Sequence, residues 1–327
     1  MKNILFIIQG YDVPSSRVRI LNLIPKLKDK GYRITCTEYP KKTSDKIQLF
    51  ASIKKYDIVY LQKKLPNALD KFFIRLLSKK LLFDLDDAIY YKHESSKKKR
   101  SLSNTKKFNR IAKSADFITV GNEILFKYVS ALNNHIEIIP STVETNDIAV
   151  RDYNIKNEKF VVGWIGGNIN HNQLKLLENV FERLSKELSL EVRMITGKPV
   201  NMENVNVNFI PWSLETQEIE IAKFDVGLMP LPDSPHAQGK CAFKAIQYMA
   251  SGVVPIVSDV GINSCVVSHN VSGLVAKDTE QFYEHIKYLY QNKDKMKDMG
   301  EIARKRAVEY FSIDIAVNKL DKLFQSI

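Results

Sequence analysis

The sequence predicts an α/β protein made of two doubly wound, Rossmann-like domains facing a central cleft. Three observations carry this. The chain has 327 residues, enough for about two domains at roughly 100–200 residues each. Short runs rich in β-branched and aromatic residues alternate with helix-period segments, the order that parallel sheets require. The alternation stops once, over the polar and aperiodic stretch 143–158, and then begins again. The expected boundaries are a first domain over 1–150, a second over 151–311, and a last helix over 312–327.

In the first domain the strand signals are Asn3–Ile8, Arg33–Tyr39, Asp57–Leu61, Leu81–Leu85, Phe117–Val120 and Ile136–Ile139. Helical patterns fall near 15–30, 45–55, 66–79, 104–114 and 122–132. In the second, strands are expected at Phe160–Ile165, Glu191–Ile195, Val205–Ile210, Asp225–Met229, Val253–Val257 and Gly273–Ala276. Helices are expected near 171–188, 214–222, 240–251, 278–291, 294–309 and 312–326. Such sheets bind ligands beyond their strand C-termini.

Composition narrows the class. With 44% hydrophobic and 26% charged residues, the chain reads as an ordinary globular protein with ample core. Cys36, Cys241 and Cys265 are an odd set without metal or redox spacing, which suggests reduced thiols in a cytoplasmic protein. The apolar run Ile4–Ile8 is too short for a secretory segment. No run approaches the ~18 apolar residues of a membrane span. The expectation is a soluble or peripheral protein.

Charge is uneven. Residues 1–150 hold 28 Lys+Arg against 15 Asp+Glu, while residues 151–327 hold 21 against 22. The excess of the first half suits an anionic partner: a bilayer surface, a phosphorylated lipid or nucleic acid. A Lys-rich background would load both halves. Lys97–Arg100, Lys106, Lys107 and Arg110, with Phe108 and Ile111 interspersed, form a basic stretch suited to anionic headgroups or to a solvated loop.

Candidate binding residues cluster where strands end. Gly239 to Gly252 reads GKCAFKAIQYMASG, with Cys241–Ser251 expected as one helix. That spacing would put Lys240, Lys244 and Gln247 on one face at a helix start, where unpaired amides attract phosphate. A solvated amphipathic helix has the same pattern. Phe160–Asn168, FVVGWIGGN, runs a strand into Gly166 and Gly167, where backbone can approach a ligand closely. Trp212 follows another strand and suits either a nucleobase or packing. The loop from Leu228 to Lys240 is stiffened by three prolines, and it offers Asp233, His236 or Gln238 to substrate hydroxyls; His236 also reads as a plain surface residue.

In the first domain PSSRVR places Ser15 or Ser16 as a helix cap and aims Arg17 and Arg19 at a phosphate. FDLDDAIYY gathers Asp84, Asp86 and Asp87 at a strand end. These carboxylates suit a base or hydroxyl acceptor, a divalent cation, or simple capping.

As a set these motifs resemble the family 4 glycosyltransferases of the GT-B fold, over nearly the whole chain. The resemblance rests on GWIGGN, FDVGLMPLPD, GKCAFKAIQYMASGVVPIVSDVGIN and NVSGLVAKD in the second half. In the first half it rests on PSSRVRILNLIPKL, FDLDDAIYY, ADFITVGNE and IEIIPSTVE. The bacterial enzymes that build surface polysaccharides look most similar. The resemblance implies a nucleotide sugar in the second domain, an acceptor in the first, a last helix over 312–327 that crosses back to the first domain, domain closure during turnover, retention of configuration and no obligatory metal or other cofactor. Donor contacts would fall to Gly166, Gly167, Asn168, Trp212, His236, Gly239, Lys240, Lys244 and Gln247. Asp86, where the family commonly has a histidine, and Asp87 would be the catalytic candidates; Ser15, Ser16, Arg17 and Arg19 would meet acceptor or phosphate. The chain departs from the pattern at one point. The family's two glutamates, seven residues apart, fall on Gly239 and Gln247, so the donor-sugar carboxylate is missing.

The reading is a transferase at the cytoplasmic face of the membrane. It would move a sugar from a nucleoside diphosphate to a glycan acceptor, lipid-linked or polysaccharide. A non-catalytic GT-B partner of another transferase is the first rival, motivated by Gly239. A nucleic-acid-binding protein is the second, disfavoured because the aromatics of the basic half are not interleaved as stacking platforms.

Overall fold

The computed structural model describes every residue except Ser95, Lys97–Lys99 and Lys156. The expected basic run Lys97–Arg100 therefore lies outside the described residues, apart from Arg100. Contacts divide the chain into two units. Unit 1 is Met1–Thr142, Gln238–Cys241 and Ile313–Ile327; unit 2 is Val143–Ala237 and Ala242–Ser312.

Unit 1 holds β1 (Asn3–Ile8), α1 (Pro14–Arg19), α2 (Ile24–Asp29), β2 (Arg33–Glu38), α3 (Thr43–Ile53), β3 (Ile58–Gln62) and α4 (Ala68–Leu77). It continues with β4 (Lys80–Leu85), α5 (Leu102–Ser114), β5 (Phe117–Val120), α6 (Glu123–Val129) and β6 (Ile136–Ile138). The strands form one parallel sheet in the order β2-β1-β3-β4-β5-β6. Both faces of the central strands are covered, which is why β1 and β3 read as nearly unbroken apolar runs, while the edge strand β2, RITCTE, is half-exposed. Ile4, Phe6, Tyr60 and Leu82 face one side; Leu5, Ile7, Val59, Leu61, Leu81 and Phe83 face the other.

The expected helix over 15–30 is α1, a 3-10 turn at Leu21–Leu23, and α2. Pro25 accounts for the break, since it has no N–H to continue the ladder and is accommodated in the first turn of α2.

Unit 2 holds β7 (Phe160–Ile165), α7 (His171–Leu174), α8 (Glu178–Glu187), β8 (Leu190–Thr196), β9 (Val207–Pro211), α9 (Gln217–Ala222) and β10 (Val226–Met229). The short α10 (Pro235–Gln238) follows, then α11 (Phe243–Ala250), β11 (Val254–Ser258), α12 (Asn263–Val266), β12 (Leu274–Ala276), α13 (Thr279–Gln291) and α14 (Lys293–Phe311). Its parallel sheet runs β12-β11-β10-β7-β8-β9. Val162, Trp164, Met194 and Leu228 pack with α8 and α13 on one face, and Val161, Ile165 and Ile195 pack with Ile221, Phe224 and Tyr248 on the other.

The polar stretch 143–158 is fastened to unit 2. Val143 N–H donates to Phe311 O at 2.9 Å, Arg151 pairs with Asp225 in a buried ion pair, and Tyr153 Oη donates to Gly252 O at 2.8 Å. The unit boundary therefore falls at Thr142/Val143 and not at 150.

The last helix, α15 (Ile313–Ser326), belongs to unit 1. Its Ile313, Ala316, Val317, Leu320, Leu323 and Phe324 pack on Ile4, Phe6 and Tyr60. Among the described residues, no helix is long and apolar enough to cross a membrane.

Candidate active site

In a doubly wound sheet ligands sit beyond the strand C-termini, where the strand order reverses. In unit 1 that point lies between β1 and β3, and polar side chains converge there. Ser15 Oγ, from α1, donates to Asp86 Oδ2 at 2.7 Å. Gln62 Nε2 donates to Ser15 Oγ at 2.9 Å, and Ser16 Oγ donates to Gln62 Oε1 at 3.1 Å. Lys63 Nζ lies 2.7 Å from Asp86 Oδ1 and also pairs with Asp87. Burial alone would lower the Lys63 pKa, but the charges of Asp86 and Asp87 outweigh it and hold the ammonium above its ordinary value. Lys63 takes a left-handed conformation, φ 54°, a strain of about 1–3 kcal/mol. Asp86 thus accepts a hydrogen bond at Oδ2 and meets the Lys63 ammonium at Oδ1 as an ion pair, without a hydrogen bond there.

Two expectations are corrected here. Ser15 and Ser16 do not cap α1: its N-cap is Val13, without a side-chain cap, and Pro14 opens the helix. Proline suits that position because the missing N–H would be unpaired anyway. The serines lie inside the helix and turn into the site. Arg19 is not aimed at a phosphate. It is 3% exposed, pairs with Asp84, and donates through Nη1 to Ile139 O. Burial opposes its charge, yet Asp84 holds its pKa above the ordinary range. Asp84 also accepts from Thr119 Oγ1 at 2.7 Å and Tyr60 Oη at 3.1 Å, so it is separated from Asp86 and Asp87 as a structural ion. Arg17 is half-buried in the last turn of α1.

The segment Gln238–Cys241 belongs to unit 1. Asn122 Nδ2 donates to Gly239 O at 3.0 Å and Lys240 O at 3.2 Å, and Cys241 Sγ donates to Asp86 O at 3.1 Å. Burial first, then the charge of Asp86, pushes the Cys241 thiol up to about 12. Lys240 Nζ lies 3.8 Å from Glu94. A Cβ on Gly239 would stand 2.6 Å from Ala88 Cβ and 2.9 Å from Ala88 N, so no side chain fits there.

The helix expected from Cys241 consequently starts later, at Phe243. Cys241 is packed in the unit 1 core, and Ala242, at φ 52°, turns the chain into α11. Lys240 is therefore outside the helix and does not share a face with Lys244 and Gln247. Those two remain one turn apart on α11.

In unit 2 the strand order reverses between β7 and β10, and β7 runs out into Gly166-Gly167-Asn168. The two glycines differ. A Cβ on Gly166 would lie 2.4 Å from Trp164 Cη2 and 3.1 Å from Lys244 Cε, so packing alone demands glycine. A Cβ on Gly167 would meet nothing within 4 Å, and its φ of −73° is open to any residue. Packing and backbone conformation therefore give no reason for glycine at position 167 and leave room for at least a methyl group.

Lys244 Nζ lies 5.6 Å from the centroid of the buried Trp164 ring and 3.4 Å from Gln173 Oε1. Thr196, at the end of β8, ties the neighbouring strand ends together. Its Oγ1 donates to Asn168 Oδ1 at 3.3 Å and lies 2.8 Å from His171 Nε2, and its carbonyl accepts from Trp212 N–H at 2.9 Å. Trp212 is 39% exposed and donates through Nε1 to Gln217 Oε1 at 3.0 Å. His236 is buried in α10, which excludes the plain surface histidine. Gln247 is half-buried and its side-chain amide has no hydrogen bond among the described residues.

Sequence reasoning missed Lys63, Gln62, Thr196 and Gln173. Lys63 had a usable signal: it directly follows the apolar run IVYLQ and hence sits at a strand C-terminus.

The unit 2 site offers open space beside Gly167, an ammonium over an indole and a half-exposed aromatic ring, which together suit an anionic group joined to a flat one. Residues 159–292, from β7 to α13, match the family model of the group 1 glycosyl transferases. No curated protein sequence matches the chain. Among solved structures the fold is similar to that of sucrose-phosphate synthase from Thermosynechococcus elongatus (TM-score 0.78, 13% identity, 100% of this chain and 99% of that one). It is also similar to HepE of Anabaena bound to UDP-glucose (0.77, 12%, 100% of both chains). A glycosyltransferase from Rickettsia africae gives 0.73 at 13% identity, over 99% of this chain and 98% of that one. The architecture is thus the two-domain α/β GT-B fold, and with the family match it supports a glycosyltransferase.

Proposed function

We propose that the chain transfers a sugar from a nucleoside-diphosphate donor, held by unit 2, to a glycan acceptor, lipid-linked or polysaccharide, met by unit 1. The observation that carries this reading is the exit of β7, where Gly166 packs against the Trp164–Lys244 pair and the next residue, Gly167, has open space where a side chain would stand. Lys244 and the Gly167 region would take the diphosphate, Gln247 the ribose, and Trp212 a base. Preorganised positive charge would then stabilise the departing nucleoside diphosphate. HepE is described with UDP-glucose and an α-glucosyltransferase with UDP, so UDP is the first probe. The family 4 assignment, retention of configuration, independence of any metal and a cytoplasmic membrane surface as workplace belong to the same proposal. In unit 1, Asp86 with Lys63 and Ser15 would orient the acceptor hydroxyl.

A thermal-shift screen of nucleoside diphosphates tests the donor site. A ligand at a hundred times its Kd adds about 2.7 kcal/mol of stability, and a shift is expected with UDP and not in Lys244→Ala. No shift with any nucleoside diphosphate would end the reading. Asp86→Asn is expected to keep the UDP shift while transfer is lost, and transfer by the parent is expected to persist in EDTA.

A second reading, a GT-B subunit without turnover, is favoured by Gly239. The family's first glutamate cannot be replaced at that site, since Ala88 leaves no room for a side chain. UDP release from UDP-glucose, abolished in Lys244→Ala, would count against it.

A further inference from the structure

The outer face of α4 is unusual for a helix packed on a sheet. Its inner side is well fixed: Ile74 is fully buried, Phe73 stacks on Phe50 of α3 with centroids 5.6 Å apart, and Asp70 accepts from Tyr39 Oη and pairs with Lys46, each at 2.6 Å. On its other side Leu69, Phe72 and Leu76 lie at i, i+3 and i+7 and are 64%, 53% and 63% exposed. One stripe of a surface helix is thus apolar and turned to solvent, a pattern that marks an interaction site. Ile47, one turn before Phe50 on α3, is 64% exposed as well.

Positive charge frames the stripe. Lys71 and Arg75 flank it on α4, and Lys79 and Lys80 follow the helix. On α5, which packs beside α4, the outward positions are Leu102, Lys106, Arg110 and Lys113. Acidic groups here are few and mostly committed: Asp57 pairs with Lys79, Asp116 with Arg75, and Asp70 with Lys46, leaving Asp45 exposed on α3. Lys71, Lys80, Lys106, Arg110 and Lys113 have no carboxylate partner at ion-pair distance among the described residues.

We propose that the α4 face, with the outward side of α5, docks on an anionic lipid bilayer, Leu69, Phe72 and Leu76 entering the acyl boundary while the surrounding lysines and arginines meet the headgroups. An exposed apolar stripe bordered by basic side chains is what an interfacial helix needs. Charge decides between occupants. A second copy of this chain would set one basic face against another. A bilayer supplies diffuse negative charge and hydrocarbon together. The three side chains are each more than half exposed, so they stand out from the surface and do not line a groove for a partner's side chain. The inference extends the proposed function by naming the surface that would present the acceptor, and its test does not read sugar transfer.

The experiment is co-sedimentation of the full chain with vesicles of phosphatidylcholine alone or mixed with phosphatidylglycerol. The parent is expected to bind only the mixed vesicles. Leu69→Ser/Phe72→Ser/Leu76→Ser should weaken partitioning by about tenfold or more, and salt should remove what remains. Lys106→Gln/Arg110→Gln/Lys113→Gln should also weaken it. In Phe72→Trp, fluorescence should shift to the blue on mixed vesicles and be quenched by brominated acyl chains. All variants change exposed positions, so melting temperatures and the UDP shift should match the parent. Failure of lipid binding with an intact UDP shift would sink this inference and leave the donor reading standing. Equal vesicle binding by the serine triple, or self-association in sedimentation velocity that this triple removes, would overturn it.

Discussion

Substituting Gly167 and Gly166 separately distinguishes a ligand contact from a packing requirement. At Gly167 the backbone, φ −73° and ψ 156°, suits alanine, and a methyl group meets nothing within 4 Å. Gly167→Ala should therefore leave stability unchanged or raise it by about 0.4–1 kcal/mol, because the unfolded chain loses freedom. If a diphosphate rests on this backbone, the methyl displaces it from a charge-assisted hydrogen bond of about 1.5–3 kcal/mol. That corresponds to roughly 10- to 150-fold in Kd. At Gly166 the outcome inverts. A methyl placed 2.4 Å from Trp164 Cη2 and 2.5 Å from Cζ2 must displace a buried indole, which costs about 1–3 kcal/mol of stability. Urea titration gives the first quantity and calorimetric titration with UDP the second. Undiminished UDP affinity in a fully stable Gly167→Ala would refute the placement of the diphosphate.

Other predictions follow from the same geometry. Lys244→Ala should weaken UDP by more than about tenfold, since a charge-assisted contact is lost, while urea titration shows a loss of only about 0.5–1 kcal/mol from its position over Trp164. Arg19→Ala should cost about 3–5 kcal/mol in urea titration, because it strands the buried Asp84; near-parent stability would contradict the structural role. The His171 pKa lies below its ordinary 6.5, through burial first and Lys175 second. The fold thus favours the neutral ring, and the unfolded chain binds more protons as pH falls. Its contribution is complete above about pH 6.5 and is lost below, so His171→Gln should flatten the fall in stability between about pH 7 and 5.

The strands were legible because a sheet covered on both faces writes itself as uninterrupted apolar runs. NILFII, FVVGWI and FITV are observed with the boundaries their composition implies. Helix starts were less legible. PSSRVR contains a capping serine pair, yet Pro14 takes the first position and moves both serines inside. The paired arginines look alike in sequence, but Arg19 meets Asp84 across 65 residues, a relation that no local pattern encodes. Lys63 escaped notice for the opposite reason: it stands among other lysines, and only the strand order shows that it lies where the sheet reverses.

The largest revision concerns Lys240, and it shows which part of the donor argument is robust. A claim that two lysines share a helix face depends on where the helix begins. That start was fixed by Cys241, a small apolar residue whose burial in the unit 1 core cannot be read from its neighbours. Moving the start by two residues removes Lys240 from the face and leaves Lys244 with Gln247. Gly167 is independent of helix register: it lies at a strand end at the point of reversal, with no packing reason for glycine, wherever α11 starts. The proposed donor site therefore rests on β7 and its exit, with Lys244 as the charge beside it. A variant at Lys240 tests the unit 1 segment, whereas one at Gly167 tests the site itself.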